Sequence, residues 1–531
     1  MNKRTAQLAP AAIIVLAVAL RWVQLGRLSF YFDELYNVWA NKMSLSGMLR
    51  EQIAAGHPPL FYLVARVWYL FGTSEVWARS LSALAGALTV LFVYLAAREM
   101  FSRRAGLWAA AFTAASPLLV WYSRVNSYYS FLVMVTTLSM WLLIRASLRG
   151  GWANWAAYTL AATAMLFTYF FGIVLVGAGW VLYLLLKRQD NKFTAPWLVS
   201  QAALICAAGA TFLLSRGAAA ESGRLHVSGS GASGMATTGW KLFRELVYDL
   251  VIAPFVLVAG KLDSGINYSG NEGLPLSHAA LFGLVIVLGA AVYLASGWLR
   301  NLVRTRELAA TAVFVFLMVS GPLSLQLING GALSGRFYVW AAPAFFLLSG
   351  AVIAAAPRKA GAVLGAVAIV FMASASVWVF HGLGNDDADW RAIMGMIADR
   401  GLPGDRIVGF PIHNVYLAED YYMAQPVPLT GGIPSMVNDS VFFLPNGTSW
   451  GGYRSGYWVG SGATPPLSGT ELNQKMAAEL SGAGRLWLVA QTGQPSGQVQ
   501  RLIDSGWVET GRWDYSSFEL VLYQPRGAAD R

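Results

Sequence analysis

Long apolar runs alternate with short polar connections along the first 380 residues of the chain. Several runs reach the roughly 20 residues that a helix needs to cross the hydrocarbon of a bilayer. Two shorter apolar stretches that carry a charge, 59–72 and 246–260, are predicted as interfacial or re-entrant segments on the outer side. About eleven spanning helices are predicted, near residues 8–26, 76–97, 105–121, 127–144, 153–168, 172–186, 195–214, 278–298, 308–328, 337–355 and 360–380.

The pattern changes after residue 381. Short strand-like runs, "DRIVGF", "RLWLVA" and "FELVLY", are separated by helix-like stretches such as "DWRAIMGMIADRG". We therefore predict a small α/β domain at 382–531, which at roughly 150 residues is long enough for its own core. Within it, the segment rich in Gly, Ser and aromatic residues at 430–462 is predicted as a long surface loop. No glycine-rich phosphate-binding motif follows a strand, so no nucleotide cofactor is expected.

Composition supports a membrane protein, since 56% of residues are hydrophobic and 12% are charged, against about a quarter charged in soluble domains. Most of the net charge of +11 is explained by the predicted membrane topology. If the N-terminus is cytoplasmic, the connections on that side are all basic, among them "REMFSRR", "KRQDNK" and "PRKAG", as the positive-inside rule requires. The expected fold class is a polytopic α-helical protein of the inner (plasma) membrane, with about 11 to 13 spans and an extracytoplasmic C-terminal α/β domain. Membrane lipids are expected partners, and nucleic acid is not.

An acidic pair, Asp33 and Glu34, follows the first predicted span in the stretch "LSFYFDELYNVWANK". Asp33 could cap a helix, with Glu34 in its first turn. The pair could instead be solvated loop charges, or the acid–base group of a site at the membrane surface. Neighbouring aromatic residues, Tyr36 among them, would desolvate a carboxylate, raise its pKa and suit it to proton transfer.

A histidine lies further along the same first outer loop, 27–75, in "AAGHPPLFYLV". Pro58 and Pro59 keep His57 extended at the entrance of a helix. A single histidine is more often structural than catalytic. Its occurrence in one loop with the acidic pair favours a functional site.

These motifs resemble a known family. In order along the chain, "YFDELYNVWA", "GHPPLFYLV" and "VWARSLSALAG" resemble the polyprenol-dependent membrane glycosyltransferases of GT-C type, which include the protein O-mannosyltransferases and the aminoarabinose transferases of lipid A. The resemblance covers residues 1–190 and extends more loosely to 380. It implies a GT-C transmembrane catalytic domain at 1–381. The stretch "DDADWRAIMGMIADRGLPGDRIV" looks like the soluble extension of bacterial members.

The resemblance implies transfer of a monosaccharide, hexosyl or pentosyl, from a polyprenyl-phosphate lipid to an acceptor glycan, lipid or protein on the outer face. It assigns the family's catalytic aspartate to Asp33, with Glu34 beside it. His57 takes the family's His-Pro-Pro position and is a substrate-binding candidate. The other substrate-binding candidates are Tyr36, Tyr122 and Tyr129.

The leaving group of such a reaction is a phosphate, which paired guanidinium donors hold well. Arg336, in "GRFYVWAAP", resembles an arginine motif of the family and is the first candidate. Arg124 and Arg79 are the others, because both are predicted near the outer ends of helices. For each of the three, the alternative is an interfacial anchor.

The chain departs from the family at positions that bear on metal binding. Val125 and Ser127 stand where many relatives carry Glu and Arg, and Tyr169 stands where relatives often carry His. Either this chain works without a divalent metal, or the ligands come from Asp33, Glu34 and His57.

Two other functions remain open. A polymerase or ligase of lipid-linked glycans would place key residues in the later loop, 215–277, which contains Arg216, Arg224 and His226. The Gly and Ser content of this loop is more typical of a lid. A non-catalytic lipid-glycan transporter would carry ionisable residues at the bilayer midplane, whereas the polar groups of this chain gather at the predicted outer ends.

Overall fold

The structure is a computed structural model that describes most of the helical part of the chain and a portion of the C-terminal part. It divides into two compact units, the first formed by Met1–Gly26 and Met43–Leu383, the second by Arg27–Lys42 and Gly384–Arg531. The early segment 27–42 therefore belongs to the second unit. The described residues are 3–54, 57–169, 172–186, 195–222, 306–328, 339–382, 389–402, 405–410, 415, 417–423, 452–454, 457–459, 484–491, 506–515 and 518–526.

The described part of the first unit is helical, and the second unit contains two of the helices, α2 and α15. The predicted segments 246–260 and 278–298 lie outside the described residues. The helices are α1 (Lys3–Trp22), α2 (Phe32–Ala40), α3 (Leu45–Ala54), α4 (Leu60–Tyr69), α5 (Glu75–Met100), α6 (Arg103–Ala115), α7 (Pro117–Ser123), α8 (Tyr128–Arg149), α9 (Trp152–Leu166), α10 (Gly172–Leu186), α11 (Ala195–Ser222), α12 (Arg306–Ile328), α13 (Ala342–Ala355), α14 (Arg358–Gly382) and α15 (Trp390–Arg400).

Four helices of the described part are long and apolar enough to cross a membrane by length and composition. They are Glu75–Met100, Tyr128–Arg149, Ala195–Leu214 and Arg358–Ser376, and the bent pair α6 and α7 would add a fifth. Large apolar side chains such as Leu160, Phe212 and Phe316 are more than half exposed on these and neighbouring helices, as expected of surfaces that face lipid. The total number of spans stays a prediction.

The span predicted at 105–121 is not one continuous helix, because the chain bends by 60° between α6 and α7, and its crossing of the membrane stays a prediction. Pro117 has no N–H with which to continue the hydrogen bonds of α6, and it forces the preceding Ser116 into an extended conformation. Ser116 then caps the new helix, since its Oγ accepts a hydrogen bond from the N–H of Leu119 at 3.4 Å.

The broken end of α6 is held by a fully buried arginine of α1. Arg21 donates to the carbonyls of Ala114 and Thr113, at 3.2 and 3.3 Å. Its Nε donates to Ser123 Oγ at 3.2 Å, which also ties it to α7. A cation is stabilised at a helix C-terminus, where backbone carbonyls lack partners within the helix. Arg21 therefore supplies the hydrogen bonds that the proline break removes.

Small residues allow α5 to pack closely against this polar cluster. A Cβ on Gly86 would collide with Ser123 Oγ and would lie 2.7 Å from Arg21 Nε. Nearby, Ser130 Oγ donates to the carbonyl of Ser82 at 2.7 Å, between α8 and α5. Small side chains and interhelical hydrogen bonds are the usual means of helix association in membranes.

The second unit contains a four-stranded sheet in the order β1–β4–β6–β5, with β1 parallel to β4 and the other neighbours antiparallel. Strands β1, β4, β6 and helix α15 fall on the predicted runs, whereas β5 was not predicted. A small hairpin, β2–β3, lies inside the segment predicted as a loop. The description of 382–531 as a soluble α/β domain stays a prediction. The strands are β1 (Arg406–Phe410), β2 (Gly452–Arg454), β3 (Tyr457–Val459), β4 (Leu486–Gln491), β5 (Trp507–Tyr515) and β6 (Phe518–Pro525).

A buried carboxylate connects the entry of β1 to β4. Asp405, 1% exposed, accepts two hydrogen bonds from Arg485, at 2.7 and 3.0 Å, and one from Trp487 Nε1 at 2.8 Å. It also accepts from the N–H of Leu402 at 3.0 Å. Burial by itself raises the pKa of Asp405, but these hydrogen bonds outweigh it and hold the pKa below its usual value.

Candidate active site

The acidic pair lies at the start of helix α2. The helix begins at Phe32, and its N-cap is the extended residue Tyr31. Glu34, which is fully buried, accepts a hydrogen bond from the N–H of Tyr31 through Oε2 at 3.3 Å. This is the glutamate half of a capping box, in which the third helical residue reaches back to the N-cap. The alternative in which Asp33 is the N-cap is therefore wrong.

Asp33 is the second residue of α2 and is half-buried. A carboxylate in the first turn is stabilised by the helix dipole. Tyr36 lies three residues on, which places it next to Asp33 on the helix surface. Its ring is 6.3 Å from that of Phe32 and 5.8 Å from that of Trp39. The predicted site residues Asp33, Glu34 and Tyr36 therefore lie on one short helix, together with the aromatic residues Phe32 and Trp39.

The first unit brings three other predicted residues together. The ring centroids of Tyr122 and Tyr129 are 5.0 Å apart. Tyr128 connects this pair to His57, because its ring centroid is 4.3 Å from that of Tyr129 and 5.1 Å from that of His57. Tyr128 was not among the predicted site residues, although it lies beside Tyr129 in "NSYYS". Tyr169, at the position where relatives often carry His, lies 6.4 Å from Tyr128.

Backbone hydrogen bonds fix the loop that carries His57. Its N–H donates to the carbonyl of Gln52 at 2.9 Å, and the N–H of Leu60 donates to the carbonyl of Phe167, also at 2.9 Å. Gln52 is fully buried, and both polar atoms of its side chain lack a hydrogen-bond partner in the described part of the chain. Gln52 was not among the predicted site residues, because a lone amide in a helix gives no signal in the sequence.

Two of the predicted phosphate ligands lie at the end of α1. Arg124 donates to the carbonyls of Val23 and Gln24, at 2.6 and 3.1 Å. Arg79 donates to the next carbonyl, that of Leu25, at 3.0 Å. Gln24 has a φ of +54°, in the left-handed region that ends many helices. The two guanidinium groups thus converge on one backbone turn, and their role as phosphate ligands stays a prediction.

Arg336 lies outside the described residues. In the ranges that the structure describes, no three His, Cys, Asp or Glu side chains are grouped so that they could hold a metal ion. Asp33 and Glu34 belong to the second unit and His57 to the first. A divalent metal held by these three residues stays a prediction.

Residues 56–212 match the family model described as dolichyl-phosphate-mannose-protein mannosyltransferase. His57, Arg79, Tyr122, Arg124 and Tyr129 fall within the match. No curated protein sequence matches the chain significantly.

Solved structures share the fold. ArnT from Cupriavidus metallidurans, in a crystal structure with undecaprenyl phosphate, is 13% identical with a TM-score of 0.51, over 96% of this chain and 97% of that one. AglB, an oligosaccharyltransferase from Archaeoglobus fulgidus in complex with an inhibitory peptide and a dolichol-phosphate, is 11% identical with a TM-score of 0.50, over 98% and 74%. The predicted resemblance to the GT-C glycosyltransferases is thereby confirmed.

Proposed function

We propose that this protein is a membrane glycosyltransferase that moves a hexosyl or pentosyl unit from a polyprenyl phosphate to an acceptor glycan, lipid or protein. The reaction takes place on the outer face of the inner membrane, with the N-terminus in the cytoplasm. The family match and the fold shared with lipid-phosphate-bound ArnT and AglB support this class of reaction.

One observation carries the assignment of the base. The two adjacent carboxylates differ in their environment, because Glu34 is fully buried and caps α2, whereas Asp33 is half-buried in the same turn. We assign proton transfer to Asp33 and support of the helix start to Glu34. General-base help of this kind is worth about 10²–10⁴-fold in rate.

The reaction follows from these roles. The acceptor hydroxyl or amine attacks the anomeric carbon of the sugar and gives its proton to Asp33. The bond from that carbon to the phosphate oxygen breaks, and its electron pair leaves with the polyprenyl phosphate. Arg336, Arg124 and Arg79 are the proposed cations that neutralise the phosphate. His57, Tyr36, Tyr122 and Tyr129 are the proposed sugar and acceptor contacts.

The role of Asp33 as the general base is tested by measuring transfer of radiolabelled sugar from polyprenyl phosphate in membranes. Asp33→Asn is expected to lower the rate by about 100-fold or more, because the amide cannot accept the proton. Glu34→Gln is the matched control, since it makes the same change at the next residue, and it is expected to cost less. If Asp33→Asn keeps more than a tenth of wild-type transfer at equal protein level, the base lies elsewhere.

The donor site has a separate test. Arg336→Ala is expected to weaken binding of the polyprenyl-phosphate donor by about 1.5–3 kcal/mol, the usual range for a charge-assisted hydrogen bond. Binding of the acceptor is expected to change little. Unchanged donor affinity would make Arg336 an interfacial anchor.

The proposed topology is tested by reporters fused after Lys359 and at the C-terminus. Alternation of the basic connections requires a cytoplasmic signal at the first and an extracytoplasmic signal at the second. A cytoplasmic signal from the C-terminal fusion would contradict both the topology and the placement of the reaction on the outer face.

A further inference from the structure

A short π-helical turn in the second unit has no role in the proposed reaction. It comprises Glu419–Met423, and its residues Tyr421 and Met423 are buried. The turn packs against both α15 and α2. Single π-helical turns are rare, and they occur frequently at functional sites.

Three consecutive residues of this turn contact both ends of the segment that contains α2. At the start, Tyr422 Oη accepts a hydrogen bond from the N–H of Phe30 at 2.7 Å. The Phe30 side chain is fully buried, with its ring 5.0 Å from that of Tyr421. At the other end, Lys42 Nζ lies 2.7 Å from Asp420 Oδ2.

These contacts lie immediately outside the helix. Phe30 precedes the N-cap Tyr31, and Lys42 is two residues beyond the last helical residue, Ala40. A nine-residue helix has little stability of its own, because nucleation is costly and few hydrogen bonds follow. The position of α2 therefore depends on the packing of its buried face, which includes Leu35 and Trp39, and on the contacts that hold its ends.

Along the chain, the contact at Phe30 is the nearest of these to the proposed base. Fixing the N–H of Phe30 fixes the N-cap, and the N-cap is the partner of Glu34. Asp33 lies between these two points. A displacement of about 1 Å at a reacting group can reduce a rate by about 10²-fold.

We propose that Asp420, Tyr421 and Tyr422 are positioning residues that hold α2, and through it Asp33, for the transfer step. This inference rests on the proposed function. It gives the C-terminal part of the chain a role in the reaction, as the support of the catalytic helix.

Removal of one hydroxyl is the first test. Tyr422→Phe keeps the ring and loses the acceptor for the Phe30 N–H, so kcat is expected to fall by about tenfold, within the range for a displaced reacting group. The KM for the donor is expected to stay within about twofold, since the change leaves the proposed phosphate ligands intact. Tyr515→Phe, the same change on strand β5, is the matched control and is expected to leave both constants unchanged.

Charge reversal provides a second test that does not depend on Tyr422. Lys42→Glu and Asp420→Lys are each expected to lower kcat by about threefold, because the pair is partly exposed, 51% and 27%, and such pairs are weak. The double variant restores the opposite charges and is expected to recover most of the rate. Recovery would identify the pairing itself, since general damage to the fold would not be reversed.

Measuring Tyr422→Phe in the Asp33→Asn background distinguishes a failure of this inference from a failure of the proposed function. A positioning residue acts through Asp33, so Tyr422→Phe is expected to lower the residual rate of Asp33→Asn by less than about twofold. If Asp33→Asn itself retains transfer, the proposed base is wrong. If Asp33→Asn abolishes transfer while Tyr422→Phe and the charge reversals keep full kcat, or if the double variant fails to recover, the positioning role is wrong and the proposed base stands.

Discussion

The two units contain opposite examples of charged side chains that bind the backbone. In the first unit, Arg21, Arg79 and Arg124 donate to carbonyls at the ends of α6 and α1. In the second unit, the carboxylates of Glu34 and Asp405 accept hydrogen bonds from backbone N–H groups. A helix leaves carbonyls unpaired at its C-terminus and N–H groups at its N-terminus, so the three arginines and Glu34 lie where the helix backbone stabilises their charge. Asp405 is not at a helix N-terminus, and its charge is balanced by Arg485.

This contrast shows how a charge in an apolar sequence should be interpreted. Inside a bilayer an unpaired carbonyl costs several kcal/mol, because no water is present to replace the lost partner. An arginine there can be required by the backbone alone, as Arg21 is by the proline break. Among the charges at the predicted site, Asp33 differs from Glu34 because its neighbour already provides the cap of α2.

The largest effect is expected at Arg21. Arg21→Met would leave two helix-end carbonyls without this donor and would remove one hydrogen bond to Ser123, which should lower the free energy of unfolding by about 3 kcal/mol or more. Unfolding in SDS, followed by circular dichroism, measures this loss. Arg21→Lys, which keeps the charge and loses the branched donors, should fall between. A stable Arg21→Met protein would show that the break at Pro117 does not depend on these hydrogen bonds.

Asp405 is the counterpart of Arg21 in the second unit, since it is also a buried charge held by hydrogen bonds. Asp405→Asn is expected to cost about 2 kcal/mol at neutral pH, because Arg485 would lose its charged partner while remaining mostly buried, 16% exposed. Limited proteolysis or hydrogen exchange of strand β4 in the intact protein measures the local loss. Glu509→Gln, on the half-exposed pair with Arg512, is the control and is expected to cost less than about 1 kcal/mol.

Asp405 also predicts how the stability of the second unit changes with pH. Because its folded pKa lies below the unfolded value of about 4, the contribution of Asp405 is fully present above about pH 4. It is lost as the pH falls through the folded pKa. Asp405→Asn should remove this part of the acid sensitivity. An unchanged acid transition of strand β4 would mean that other carboxylates dominate.

The sequence predicts those features that rest on local patterns. Apolar runs marked the helices, and the runs "DRIVGF" and "FELVLY" marked strands of the sheet. Strand β5, "WVETGRWDY", was missed because its charged residues and Gly511 interrupt the alternation that indicates a strand. Pro117 is a local signal for a break, but it lies inside an apolar run that was interpreted as a single span.

Contacts distant in sequence were beyond such patterns. Arg21 is 93 residues from Ala114, and Phe30 is 392 residues from Tyr422. The pairing of His57 with Tyr122 and Tyr129 depends on Tyr128, which nothing in the local pattern distinguishes from its neighbours. Site residues could therefore be selected by motif, but their partners required the fold.

A smaller effect is expected from the close packing around Arg21. Gly86→Ala should cost about 2 kcal/mol, because the added Cβ would collide with Ser123 Oγ and crowd Arg21 Nε. Gly177→Ala is the matched control, since a Cβ there meets nothing within 4 Å and alanine favours a helix by about 1 kcal/mol. SDS unfolding of both variants measures the difference. Equal stability of the two would show that α5 can shift away from the cluster at little cost.

The smallest effect on stability is expected at Glu34, where the comparison between the units bears directly on the proposed base. Glu34→Gln keeps an oxygen that can accept from the Tyr31 N–H, as glutamine does in a capping box, so only the interaction of the charge with the helix dipole is lost. We expect a cost of about 0.5–1 kcal/mol, measured by hydrogen exchange of α2, and a smaller loss of transfer than in Asp33→Asn. If Glu34→Gln abolished transfer as completely as Asp33→Asn while α2 kept its protection, the division of roles between the two carboxylates would be wrong, and the pair would have to act as one acid–base group.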